Sequence, residues 1–209
     1  MIFIGIIQSL QDFIFEILTW IVFLPKTLLR IIFKPTQMVK YVNEEMEKPP
    51  DKQYDEYLHP AFFFLGTAIL RIALPSSRDL TEALTEEGIL KTIIQDLIIL
   101  IFYLVWMEWL NKRPLKRSTL KRPFHIQCYI LGSVQFLEIL LLRLDRSGSR
   151  TGFIEIAVIT MIVAYESFAF REELKTSALK SVLFAFVPLI LFFVFLAVLF
   201  ATNTGKYIY

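Results

Sequence analysis

Long apolar runs separated by short charged segments constrain this chain more than any other feature. They cover residues 59–74, 89–110, 124–144, 152–170 and 181–202. A helix needs about 20 apolar residues to cross the hydrocarbon layer of a bilayer; the last four runs approach or reach that length, whereas the first is short. The alternating ten-residue pattern of a membrane β-barrel is not seen. The runs therefore predict an all-α, polytopic integral membrane bundle with five transmembrane helices, over residues 59–209.

The composition agrees with a bilayer environment. Hydrophobic residues make up 56% of the 209 residues, and 20 residues are phenylalanine. The single cysteine, Cys128, excludes an internal disulfide and a cysteine-based metal cluster within one chain. Residues 1–4 are apolar and lack the basic n-region of a signal peptide, and no small-residue cleavage site follows them. We therefore do not expect a cleavable signal.

Residues 1–34 are apolar but carry a polar stripe on one helix face. The stripe consists of polar residues at three- and four-residue intervals: Gln8, Gln11, Asp12, Glu16 and Thr19. A spanning helix would submerge Asp12 and Glu16, whereas an amphipathic helix lying in the headgroup plane would not. We favour an in-plane N-terminal helix with a kink at Pro25, and a sixth span is the alternative.

Between this helix and the first run, the chain is predicted to stay on the cytoplasmic side. A short helix is expected to open at Pro35 or Thr36 and to end before Pro49. Residues 47–58 are rich in charge and proline, which predicts a solvated polar linker. Residues 1–58 would thus form a cytoplasmic-side unit of amphipathic helix, short helix and linker.

A basic segment at residues 111–123 fixes the orientation of the bundle. It holds six basic residues and no acid: Lys112, Arg113, Lys116, Arg117, Lys121 and Arg122. Short loops rich in Lys and Arg stay on the cytoplasmic side of a bilayer, which predicts a cytoplasmic N-terminus and a C-terminus on the opposite side. The same side chains are expected to contact anionic lipid headgroups or a protein partner. A nucleic-acid interface is not expected between two spanning runs.

Charged residues inside the predicted spans are candidate functional groups, because charge is costly in hydrocarbon. Arg71, Asp96, Glu138 and Glu155 fall at similar depth in the outer half, with Arg71 and Asp96 the expected partners, and Glu166 lies nearer the cytoplasmic side. Such a cluster would serve either as a pathway for protons, cations or amines, or as a polar latch that holds the bundle together; we favour the latch.

His59 and His125 form a separate candidate site. Both fall at the cytoplasmic ends of their spans and so at one depth. Two such histidines would hold a haem b or a metal ion between helices, although interfacial histidines beside Pro60 and Pro123 are the simpler interpretation. We expect no cofactor. The sequence contains no phosphate-binding glycine loop, nucleophile elbow or zinc-protease motif, so we do not expect an enzyme.

The layout resembles the Yip-domain family of five-span membrane proteins. The resemblance rests on the segment IIFKPTQMV at residues 31–39 and on HPAFFFLGTAIL at residues 59–70, with four further spans after them. It implies a non-enzymatic membrane protein; eukaryotic members are associated with vesicle trafficking and small GTPases, while prokaryotic members are mostly uncharacterised. The resemblance transfers no binding residues to this chain.

Together these features predict a non-catalytic integral membrane protein. We expect a membrane-organising or accessory subunit that binds lipids, other membrane proteins or a second copy of itself, in the cell membrane if the source is a prokaryote. The alternatives are a subunit of an ion- or proton-coupled transporter or channel that uses the intramembrane charge cluster, and a haem-bearing, quinone-reactive subunit.

Overall fold

The structure is a computed structural model that describes residues 18–20, 22–49, 52–74, 85–145 and 151–204. The described residues form seven helices and no strand: α1 (18–20 and 22–33), α2 (Pro35–Glu47), α3 (Pro60–Ala73), α4 (Glu86–Leu110), α5 (Arg117–Leu144), α6 (Thr151–Leu174) and α7 (Ala178–Thr204). For the described residues the predicted all-α fold class is thereby confirmed. The polar stripe at Gln8–Glu16 lies outside the described residues.

Four of these helices, α4 to α7, are long and apolar enough to cross a membrane. Helix α3 is also apolar but has 14 residues, which at 1.5 Å per residue gives about 21 Å, less than the hydrocarbon thickness. The structure thus has four candidate spanning helices and one shorter apolar helix at the place of the first predicted span.

The third predicted span begins earlier than its apolar run. Helix α5 starts at Arg117, seven residues before Phe124, because the side chain of Thr119 caps its first turn. The Lys116 N–H donates to Thr119 Oγ1 at 3.1 Å, and the Thr119 hydroxyl donates to the Pro114 carbonyl at 2.7 Å. The prediction that all of residues 111–123 form a loop is therefore wrong for its second half.

Two glycines let helices approach closely in the bundle, in which α3 packs extensively against α5. A Cβ at Gly132 of α5 would lie 2.8 Å from the Phe63 ring of α3, closer than packed side chains allow. A Cβ at Gly66 of α3 would overlap the Trp20 ring of α1. Each glycine thus gives space to one aromatic ring from a neighbouring helix.

The segment after α2 is packed against the bundle and is not a solvated linker. Tyr54, Tyr57 and Leu58 are buried, and the Tyr129 hydroxyl of α5 donates to the Leu58 carbonyl at 2.5 Å. The sequence prediction for residues 47–58 is therefore wrong at these positions, since two aromatic rings and a leucine between charged residues supply enough apolar surface to bury. On the other side, Lys26 of α1 lies over the Tyr57 ring, 4.7 Å from its centroid.

A hydroxyl from α4 donates to the backbone of α7 next to the carbonyl that the internal Pro188 leaves without its helical donor. Pro188 has no N–H for the Phe184 carbonyl one turn earlier. The fully buried Tyr103 hydroxyl donates to the next carbonyl, that of Ala185, at 2.9 Å. Such a side-chain donor compensates backbone polarity where water is excluded.

Candidate functional site

The bundle has two ends with different chemistry. The basic end holds the turn at residues 111–116, the buried segment before α3 and helix α2, which packs against α5 and α6. The opposite end holds the last turn of α3, the start of α4, the end of α5 and the start of α6. The sequence-predicted charge cluster lies at this opposite end.

The centre of the cluster is Arg71, in the last turn of α3. Its Nη1 donates to Asp96 Oδ1 of α4 at 3.0 Å, and its Nη2 donates to Glu138 Oε1 of α5 at 3.0 Å. The predicted Arg71–Asp96 pair is therefore present, and Glu138 completes it. Guanidinium–carboxylate hydrogen bonds of this length are strong, so the triad ties three helices together.

The triad is buried only in part. The Arg71 side chain is 31% exposed, whereas those of Asp96 and Glu138 are 12% and 19% exposed. The second oxygen of Asp96, Oδ2, is buried and accepts no hydrogen bond from the described residues. The site thus has a carboxylate oxygen with free acceptor capacity next to a guanidinium.

A cavity of about 520 Å³ adjoins the triad, and all five helices from α3 to α7 line it. Arg71, Glu138 and Thr92 contribute its polar part together with Glu155 of α6, which the sequence placed in the cluster. Glu155 is exposed and has no ion-pair partner among the described residues. The structure therefore joins four of the predicted residues in one region, three of them as ion-pair partners and Glu155 as a separate carboxylate.

Glu166 stands apart from this cluster, as the sequence predicted. It is fully buried between α5 and α6, where Gln127 Nε2 donates to its Oε2 at 3.0 Å. Oxygen Oε1 of each residue has no partner among the described residues. Burial of a lone carboxylate is very costly, and the Gln127 amide compensates one of its two oxygens. The sequence analysis did not identify Gln127 as the partner of Glu166, because glutamine side chains are common on any face of a helix.

His59 and His125 meet at the basic end. Their ring centroids are 5.2 Å apart with the rings edge to face, and the Tyr54 ring packs against both. The Tyr54 hydroxyl lies 2.5 Å from His125 Nδ1, while His59 Nδ1 is buried without a partner among the described residues. Because the rings contact each other, a haem between them would require the helices to separate.

The buried Tyr54 sits in a backbone conformation that side chains rarely adopt, with φ of 65°. Glu45 of α2, itself buried, holds it by accepting the Tyr54 N–H on Oε2 at 2.6 Å and the Lys48 ammonium on Oε1 at 2.6 Å. Burial opposes ionisation of Glu45, but these hydrogen bonds outweigh it and lower the pKa of the carboxyl below its usual value. The described residues contain no group of three or more potential metal ligands at this site or elsewhere.

The six predicted basic residues do not act alike. Arg122 Nη2 donates to the buried Glu173 of α6 at 2.8 Å, and Arg113 lies 3.9 Å from Glu108 of α4. Lys121 reaches Gln53 at 3.5 Å. The remaining three, Lys112, Lys116 and Arg117, are exposed and have no ion-pair partner in the described part of the chain. The acids Glu108 and Glu173 were missed by the sequence analysis, since a single charge near a helix end is usually solvated.

An apolar groove of about 360 Å³ also lies at the basic end. Stacked Trp106 and Trp109 line it with Arg113 and Leu115, and Leu115 is 58% exposed in the middle of the basic segment. The Trp106 Nε1–H is buried and has no acceptor among the described residues. Tryptophan at this position is typical of the membrane–water interface.

In the described residues the molecule is all-helical, with four helices long and apolar enough to span a membrane, as in an integral membrane protein, and with an ion-pair cluster that joins three helices. No protein-family model, no curated protein and no solved structure matches the chain. The likeness to Yip-domain proteins therefore remains a prediction from sequence.

Proposed function

We propose that this chain is a non-catalytic membrane protein that binds anionic phospholipid at its basic end and serves as a membrane-organising or accessory subunit. The observation that carries the proposal is the combination of three unpaired cations with an apolar groove at one end of the bundle. A phospholipid has the complementary shape, with an anionic phosphate next to hydrocarbon chains.

The groove supplies contacts for both parts of such a lipid. The Arg113 guanidinium is a donor that suits a phosphate oxygen, and Leu115 and Trp109 offer apolar surface to an acyl chain. Lys112, Lys116 and Arg117 lie within two residues of Arg113 or Leu115 in the sequence and add positive charge to this segment. Paired cations elsewhere in the segment, such as Arg122, hold helices together and are not part of the lipid site.

The proposal includes five spans with the basic end in the cytoplasm. Helix α3 is short and lies between His59 and Leu74. The buried segment before it adds apolar surface that packs against the bundle at the basic end. A short hydrophobic helix is tolerated when the bilayer thins or when neighbours cover its ends. An odd number of spans then leaves the N-terminus in the cytoplasm and the C-terminus outside, with the N-terminal helix in the headgroup plane.

Lipid binding is tested on the purified protein in phosphatidylcholine nanodiscs, by measuring the association of spin-labelled phosphatidylglycerol with the protein relative to that of spin-labelled phosphatidylcholine. Each basic residue near an anionic surface contributes about 1 kcal/mol, so the combined change Lys112→Gln, Lys116→Gln and Arg117→Gln should weaken the phosphatidylglycerol preference by about two orders of magnitude. The exposed Lys175→Gln is the matched control and should have a much smaller effect. An unchanged preference in the triple variant would refute the proposal.

A second candidate is an ion- or proton-coupled transport subunit, because the Arg71 triad borders a cavity. In proteoliposomes, Asp96→Asn and Glu138→Gln should then abolish cation or proton flux while the protein still assembles. If the unsubstituted protein shows no flux and the variants fail to assemble, the triad instead acts as a latch between helices. The haem-bearing alternative predicts a Soret band in the purified protein, and a colourless preparation would exclude it.

A further inference from the structure

The cavity at the opposite end of the bundle has a polar end and an apolar depth. Its polar groups, including Glu155, lie near the helix ends, whereas the walls continue with Val158, Ile159 and Ile162 along α6. At 1.5 Å per residue, Ile162 lies about 10 Å deeper than Glu155. Leu189 and Phe192 of α7 form the facing wall. A cavity of this form accepts a polar head followed by a hydrocarbon tail.

The charge of the polar end decides the sign of the head. The Arg71 guanidinium pairs with Asp96 and Glu138, and of the acids it is Glu138 and Glu155 that line the cavity with it. Both outer nitrogens of Arg71 already donate to the first two acids, so the guanidinium offers little to an anion. Glu155 has no counter-ion among the described residues. An anionic head would be repelled by this carboxylate and a neutral head would gain no ion pair with it, whereas a cation would pair with it.

We propose that this cavity binds a cationic amphiphile, namely an alkyl chain that ends in a primary ammonium group. The ammonium pairs with Glu155 and the acidic side of the Arg71 triad, and the chain lies along the α6 and α7 walls. The volume of about 520 Å³ falls within the range of roughly 300–1,000 Å³ that ligand pockets occupy. The site is separate from the groove at the basic end and does not depend on anionic-lipid binding there.

The test uses the full-length protein in phosphatidylcholine nanodiscs with a photoreactive dodecylamine as the probe. Labelled peptides should come from α6 and α7, and unlabelled dodecylamine should compete while dodecanol at the same membrane concentration should not. Glu155→Gln should weaken the competition by about tenfold or more, and the exposed Glu44→Gln on α2, which has the same charge change, should leave it unaltered. Because Glu155 is exposed and unpaired, its substitution is not expected to disturb folding.

A second variant tests the apolar part of the site. Val158→Phe narrows the cavity and should reduce labelling without moving it elsewhere. The proposal is overturned if dodecanol competes as well as dodecylamine, if Glu155→Gln leaves the competition unchanged, or if the label appears on Trp106 and Leu115 of the other groove. None of these results bears on the phosphatidylglycerol preference of the basic end.

Discussion

Loss of Arg71 should destabilise the bundle more than loss of any single surface charge. Arg71→Met removes two hydrogen bonds of 3.0 Å and leaves the largely buried carboxylates of Asp96 and Glu138 without a cation. Removing one partner of a buried ion pair costs about 3–5 kcal/mol. Because the Arg71 side chain is 31% exposed, we expect a cost near the lower end of that range, about 3 kcal/mol.

The measurement is reversible unfolding of the purified protein in mixed micelles with increasing SDS. Lys175→Met is the control, since Lys175 is 73% exposed in its pair with Glu172 and such pairs contribute at most about 1 kcal/mol. The combined change Arg71→Met, Asp96→Asn and Glu138→Gln should recover part of the loss, because no uncompensated charge remains. Equal stability of Arg71→Met and the control, or a triple variant less stable than Arg71→Met, would refute the reasoning.

Three further changes test the packing around this bundle. Tyr103→Phe removes the donor to Ala185 and should cost about 0.5–1.5 kcal/mol in the same unfolding assay; no loss would mean that the Ala185 carbonyl needs no second donor. Tyr54→Phe leaves the buried His125 Nδ1 without its hydroxyl partner and should cost about 1–3 kcal/mol; protease cleavage within 52–59 should increase, and unaltered cleavage would contradict the anchoring role. Hydrogen bonds from Lys48 and Tyr54 outweigh burial and hold the pKa of Glu45 below its ordinary value, so its contribution to stability is present above the ordinary pKa and is lost as the pH falls through the folded one. Glu45→Gln should therefore flatten the acid limb of the stability profile, and identical limbs would exclude this role.

The apolar runs predicted the positions of helices α4 to α7. A helix that crosses a bilayer needs a minimum number of consecutive apolar residues, and such runs are visible in the sequence. The Arg71–Asp96 pair was also predictable, since few charges occur at that depth and an unpaired one would be too costly. Both inferences depend on position along a helix alone.

Contacts between distant parts of the chain were not predictable in the same way. Tyr54 and His125 are 71 residues apart, and nothing in the periodicity of either segment shows that they meet. The charged residues around Tyr54 and Tyr57 indicated a solvated linker, whereas two rings and Leu58 provide an apolar face that α5 covers. The cavity beside Glu155 depends on the side-chain packing of five helices, which no single run encodes.

The central claim is that the basic end faces the cytoplasm and the Arg71 end faces the other side of a bilayer. It is tested most directly by labelling single cysteines in sealed cells or oriented vesicles, with the native Cys128 replaced by serine. Lys112→Cys lies in the exposed basic turn, and Gly152→Cys lies at the opposite end, where a Cβ has open space around it. The account predicts that an impermeant maleimide labels Gly152→Cys from outside and Lys112→Cys only after the membrane is opened. Labelling of both positions from the same side would contradict it.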